Sequence, residues 1–257
     1  VPTDVQQGVD QWYRALVHFL DAHPDVAAEP IVLAGESYGG TYVPLMAKAI
    51  LDGNEQAGRK VVQLGGIVLA APWTDPVVQE STVPEYAFTH GLITAADRDR
   101  LEGIAEQCAA AVAAQQPSTV EANDLCSQIK AQVGDISGRY LLNLQLDGDP
   151  PTDQVTSYLN RADVRDAIHA KTNGTFDFFS EVVGDKYAIG VQDSYLETLD
   201  EVIAAGVPTL VISGLEDATD VNFLGVQAFL DRLAGPTAQA FRSAPTTQWT
   251  GVEDGPD

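Results

Sequence analysis

Ser37 lies in the run Gly35-Glu36-Ser37-Tyr38-Gly39-Gly40, which follows a short apolar stretch and precedes a helix-spaced one. A serine hydroxyl becomes a useful nucleophile only when a base takes its proton and nearby donors receive the charge it creates. Gly-x-Ser-x-Gly between a strand and a helix is the nucleophile-elbow pattern, a sharp bend that lifts the hydroxyl above a sheet. Gly35, Gly39 and Gly40 are expected to be small because side chains there would collide with the adjoining strand and helix. The same bend aims the Tyr38 amide at a developing oxyanion. On such a scaffold the acid comes later in the chain than the serine, and the histidine later still. After the apolar run 209–212, the acid candidates are Glu216, Asp217 and Asp220; an acidic loop or a helix N-cap is the plainer reading of each. None of the four histidines, His18, His23, His90 and His169, follows Asp217. The order therefore places the base beyond Asp257 and leaves these four with surface or packing roles.

The elements that must hold these residues are visible in the spacing. Apolar positions Val5, Val9, Trp12, Leu16, Phe19 and Leu20 predict a first helix, with Asp4 and Gln7 spaced as a capping box. The segments 29–37, 61–72 and 206–214 are short apolar runs of the kind that form buried parallel strands. A helical period returns between Tyr38 and Gly53, and again from Thr94, a good N-cap. Strand–helix–strand at one end and helix–strand–helix at the other predict an α/β fold, an open and mostly parallel sheet flanked by helices. Residues 79–190 lack clear buried strands and read as a mainly helical insertion, or cap, between core segments 1–78 and 191–257; such insertions often cover a substrate site.

Composition narrows the partners. The chain of 257 residues carries 37 acidic and 14 basic side chains, a formal net charge of −23. A surface this negative repels nucleic acid and anionic membranes, and neither is expected as a partner. No apolar run approaches a membrane span. Cys108 and Cys126 show no metal-ligand spacing, and no metal or cofactor is expected; one bridge or two free thiols are both open. Val1 in place of Met and the turn-rich tail read as the ends of a piece of a longer protein. Asn173-Gly174-Thr175 is a glycosylation sequon, meaningful only for a eukaryotic secretory source.

Residues 36–44, "ESYGGTYVP", resemble the active-site signature of the serine carboxypeptidases, an α/β-hydrolase family that removes C-terminal residues from peptides. Segments 71–76, 89–93, 158–170 and 211–225 resemble other family segments in the same order. Pro72 and Trp73 depart from the Asn-Gly usual there. The resemblance implies Asp217 as the acid, three residues past the glycine matching Gly214; Asp220 is the runner-up because the following loop is one residue longer than usual. It implies that Glu36 helps hold the substrate's terminal carboxylate, which a protonated carboxyl can do at acidic pH. The second carboxyl of that pair, a Gly-rich loop giving the first oxyanion donor, and the catalytic histidine all belong to family segments outside residues 1–257. Family precedent also suggests a Cys108–Cys126 bridge and a secreted, periplasmic or lysosome- or vacuole-like location.

The expected function is serine-type hydrolysis of the C-terminal peptide bond of a peptide with a free C-terminus, with this chain inactive alone. An acyltransferase on the same scaffold and a non-catalytic binding module are the alternatives. Side-chain preference and oligomeric state are not readable from the sequence.

Overall fold

The structure is a computed structural model describing residues 2–148, 150–170 and 174–248. Asn173 of the sequon lies outside the described residues. The elements run α1 (Val5–Ala22), α2 (Pro24–Ala27), β1 (Ile31–Glu36), α3 (Gly39–Ala57) and β2 (Leu64–Ala70). Then come α4 (Pro76–Glu80), α5 (Val83–Thr89), α6 (Ala95–Ala114), α7 (Val120–Ser137), α8 (Thr152–Leu159), α9 (Ala162–Ala167) and α10 (Glu181–Tyr187). The chain closes with α11 (Leu196–Ala204), β3 (Thr209–Ile212), α12 (Phe223–Arg232) and α13 (Gly235–Ser243). All three strands are parallel, in the order β1-β2-β3.

Local chemistry accounts for the helix starts. The Asp4 carboxylate accepts from the Gln7 amide at 2.8 Å, but the Gln7 side chain turns to the Thr3 amide, so only half of the expected capping box forms. Thr94 makes a full box with Asp97 at the start of α6. Helix α3 contains Pro44, which has no N–H for the Gly40 carbonyl four residues back. The Thr74 hydroxyl fills that place, donating to Gly40 O at 3.1 Å. A helix interruption is thereby turned into a tie between α3 and the segment after β2.

The main core lies on one face of the sheet. Ile67 and Leu69 of β2 pack against Val43 and Ala47 of α3, Leu199 and Val202 of α11, and Val226 and Phe229 of α12. Each of the larger side chains, fully buried, contributes about 1.5–3 kcal/mol. Helix α1 covers the outside of α3 through Leu20 and Ile50. A second core joins α5, α6 and α7 through Val83, Leu101, Ile129 and Val133. Cys108 and Cys126 form a disulfide linking α6 to α7.

The opposite face departs from the expectation of strands buried on both sides. Burial along β1 and β3 alternates, and Val32, Leu210 and Ile212 are 57%, 53% and 49% exposed. The sequence pattern marks these residues as able to be buried, yet about half of each is left open to solvent.

Candidate active site

Ser37 follows β1 directly, with φ of 55°. A non-glycine residue in the left-handed region costs on the order of 1–3 kcal/mol, and such strain collects at functional sites. Three backbone bonds hold the bend: Ser37 N–H to Ala70 O at 3.0 Å, Trp73 N–H to Ser37 O at 2.8 Å, and Gly40 N–H to Ser37 O at 2.8 Å. The side chain is exposed. The Tyr38 N–H makes no hydrogen bond among the described residues, so it remains available to an oxyanion.

The glycines differ in what they allow. A Cβ on Gly40 would lie 2.5 Å from Trp73 N and 2.7 Å from Pro72 Cβ. On Gly35 it would lie 2.8 Å from Val43 Cγ2 and 2.9 Å from Gly39 Cα. Both close approaches require glycine. Around Gly39 a Cβ meets nothing within 4 Å. The steric expectation therefore does not extend to Gly39, whose backbone is approached by others while its own Cβ position faces open space.

Asp217 lies beyond β3, on the far side of β2 from Ser37. Its Oδ1 accepts from Thr219 N–H at 2.8 Å and from Thr219 Oγ1 at 2.6 Å, which fixes the carboxyl plane and leaves Oδ2 without a donor among the described residues. Burial raises the Asp217 pKa, opposed chiefly by the Thr219 bonds. Glu36 and Asp217 line one cleft of about 380 Å³ at the C-terminal ends of the strands, together with Glu216, Ala70, Ile212 and Asn143; Ser37 and Tyr38 adjoin Glu36 in the chain but are not in its lining. Ligands of open α/β sheets bind at this end. Asp220 is only 7% exposed and pairs with Lys130 of α7, outside that lining.

The histidines lie elsewhere. His18 and His23 are exposed on and just after α1, and His169 is exposed after α9. His90 stacks on Tyr86, with ring centroids 3.9 Å apart and its Nδ1 2.8 Å from Tyr86 O. None lines the cleft.

Sequence reasoning missed three supports. Ala71, at the end of β2, has φ of 41°, a second strained residue beside the elbow; alanine carries no sequence signal for that. Trp73, a departure from the expected segment, donates its backbone N–H to Ser37 and its indole N–H to Val191 O at 2.9 Å. Thr219 orients Asp217 from two positions on, its N–H donating to the Asp217 carboxylate as in an Asx turn.

Comparison with known proteins gives the family and the fold. The family model described as serine carboxypeptidase matches residues 1–255. The chain is 27% identical to the pheromone-processing carboxypeptidase KEX1 of Fusarium vanettenii, covering 96% of this chain and 43% of that protein. It is 30% identical to the venom serine carboxypeptidase of Apis mellifera, covering 92% of this chain and 52% of the relative. The crystal structure of Kex1ΔP, a prohormone-processing carboxypeptidase from Saccharomyces cerevisiae, superposes with a TM-score of 0.75 at 21% identity, over 90% of this chain and 53% of that one. The α/β-hydrolase fold is shared. The chain spans about half the length of these relatives.

Proposed function

We infer the chemistry from one premise: the chain belongs to the serine carboxypeptidase family. We propose that the natural protein hydrolyses the last peptide bond of a peptide with a free C-terminus. Ser37 Oγ attacks the carbonyl carbon as an imidazole takes its proton. The C–N bond then breaks, the same proton passes to the leaving amine, and water hydrolyses the acyl-serine. The Tyr38 N–H supplies one donor to the oxyanion, and Asp217 Oδ2 orients the imidazole. Since no histidine lines the cleft, we place the base in polypeptide outside these 257 residues. Glu36, in the same cleft, faces the substrate's terminal carboxylate and can hold it by donating a hydrogen bond when protonated. The Cys108–Cys126 disulfide and the acidic composition suit an oxidising compartment, secreted or vacuole-like.

The observation that carries this reading is the strained, exposed Ser37 with an unbonded Tyr38 N–H beside it. Incubation of the natural full-length protein with a fluorophosphonate tests it. Mass spectrometry is expected to find the adduct on Ser37, and Ser37→Ala to abolish it. A folded protein that takes up no label at Ser37 overturns the assignment.

A further inference from the structure

Beneath the Asp217 loop lies a polar cluster that the proposed reaction does not use. Glu80, the last residue of α4, is 1% exposed, and neither of its carboxyl oxygens has a hydrogen-bond partner among the described residues. A buried carboxylate without donors is strongly disfavoured and takes up a proton instead. Three groups face it: Asp220 from the loop before α12, Lys130 from α7, and the Gln192 amide from the segment before α11. Toward α6, helix α4 presents Val77 against Cys108 and Val112, which carry no charge.

Gln192 supplies the second observation. It is 2% exposed, its Nε2 donates to Asn123 Oδ1 at 3.1 Å, and its Oε1 has no donor. The Gln192 amide favours the carboxylate, but it is the smallest of the influences on Glu80, behind burial, Asp220 and Lys130. The surroundings of Glu80 thus offer its carboxylate little that would hold a charge, and a proton removes that charge.

We propose that Glu80 is a positioning residue, held protonated so that the Lys130 ammonium stays undivided on Asp220 and fixes the loop carrying Asp217. One cation stands against three carboxyls, those of Asp220, Glu80 and Asp217, and an ionised Glu80 would compete for it. Lys130 bonds Asp220 Oδ2 and lies 6.0 Å from the Trp73 ring, below the segment that holds Ser37. The Asp220 carbonyl accepts from Gln79 Nε2 at 3.3 Å, and the same Gln79 nitrogen donates to Pro72 O at 2.8 Å. A shift of Lys130 would therefore be felt at both ends of the site. Burial, and then the Asp220 carboxylate, push Glu80 up to about 8 from an ordinary 4.5, with Lys130 and the Gln192 amide pulling the other way.

The folded chain keeps this proton where the unfolded chain has lost it, so the contribution to stability falls as pH rises through that window. Urea unfolding of the natural protein and its Glu80→Gln variant between pH 5 and 8 tests the proton. The wild-type folding constant, relative to the variant's, is expected to fall about tenfold per pH unit. A ratio that does not change with pH overturns the proposal. Should Glu80→Gln fail to fold, carboxyl-carbon NMR titration of the wild type reads the same proton, and a Glu80 midpoint in the ordinary carboxylate range overturns it. The positioning role rests on the peptidase reading. Its sign is an alkaline fall of kcat near pH 8 that Glu80→Gln removes; the same fall in the variant sinks that role. A natural protein with no peptidase activity would refute the peptidase reading while leaving the Glu80 titration to stand or fall alone.

Discussion

The two faces of the three-stranded sheet are made of similar residues and have different surroundings. On one, Ile67 and Leu69 are buried beneath α3, α11 and α12. On the other, Val32, Leu210 and Ile212 stand half exposed. The elbow uses both. Gly35 belongs to the covered row, where Val43 and Gly39 leave no room for a side chain. Glu36, its neighbour, belongs to the open row, and with Ala70 and Ile212 it lines the cleft. A strand's two-residue period therefore assigns packing to one residue of the elbow and a place in the cleft to the next.

This contrast can be broken by substitution, and the largest effect is expected at the centre of the covered face. Phe229, 0% exposed, should cost about 3–5 kcal/mol when truncated to alanine, measured by urea unfolding. A loss below about 1 kcal/mol would mean that the covered face is loosely packed. Next comes Gly40→Ala, whose methyl would press on the Trp73 backbone; overpacking of this kind costs about 1–3 kcal/mol, and fluorophosphonate labelling of Ser37 in the natural protein should fall with it. Gly39→Ala sharpens the comparison, since its methyl meets open space. It should change stability by no more than about 0.5 kcal/mol and leave labelling within a few-fold. The smallest effect belongs to the open face: Val32→Thr in the 257-residue chain is expected within about 0.5 kcal/mol. The same substitution made in the natural protein asks whether that face is covered there. A cost well above this value would show that it is.

Much of the site was legible because its signals are local. The elbow is a run of six residues between a strand pattern and a helix pattern, and Ser37 occupies the strained position that pattern implies. Thr94 caps α6 through Asp97, three residues on. Asp217 follows β3, where the chain order puts an acid. The capping box at Asp4 was half right, because Thr3 offered Gln7 a competing amide.

Other features had no local signal. Among 37 acidic residues nothing in the sequence singles out Glu80 as buried, or pairs Asp220 with a lysine 90 positions earlier. Ala71 is strained by β3, to which its N–H donates, and not by anything in its own identity. Residue types and short spacings thus determined the bend, the strained position of Ser37 in it and the cap of α6, because strand, turn and cap preferences act within a few residues. Which sheet face is covered, which glycine is sterically required and which carboxyl is buried were decided only by the tertiary structure, because each depends on surfaces brought together from distant parts of the chain.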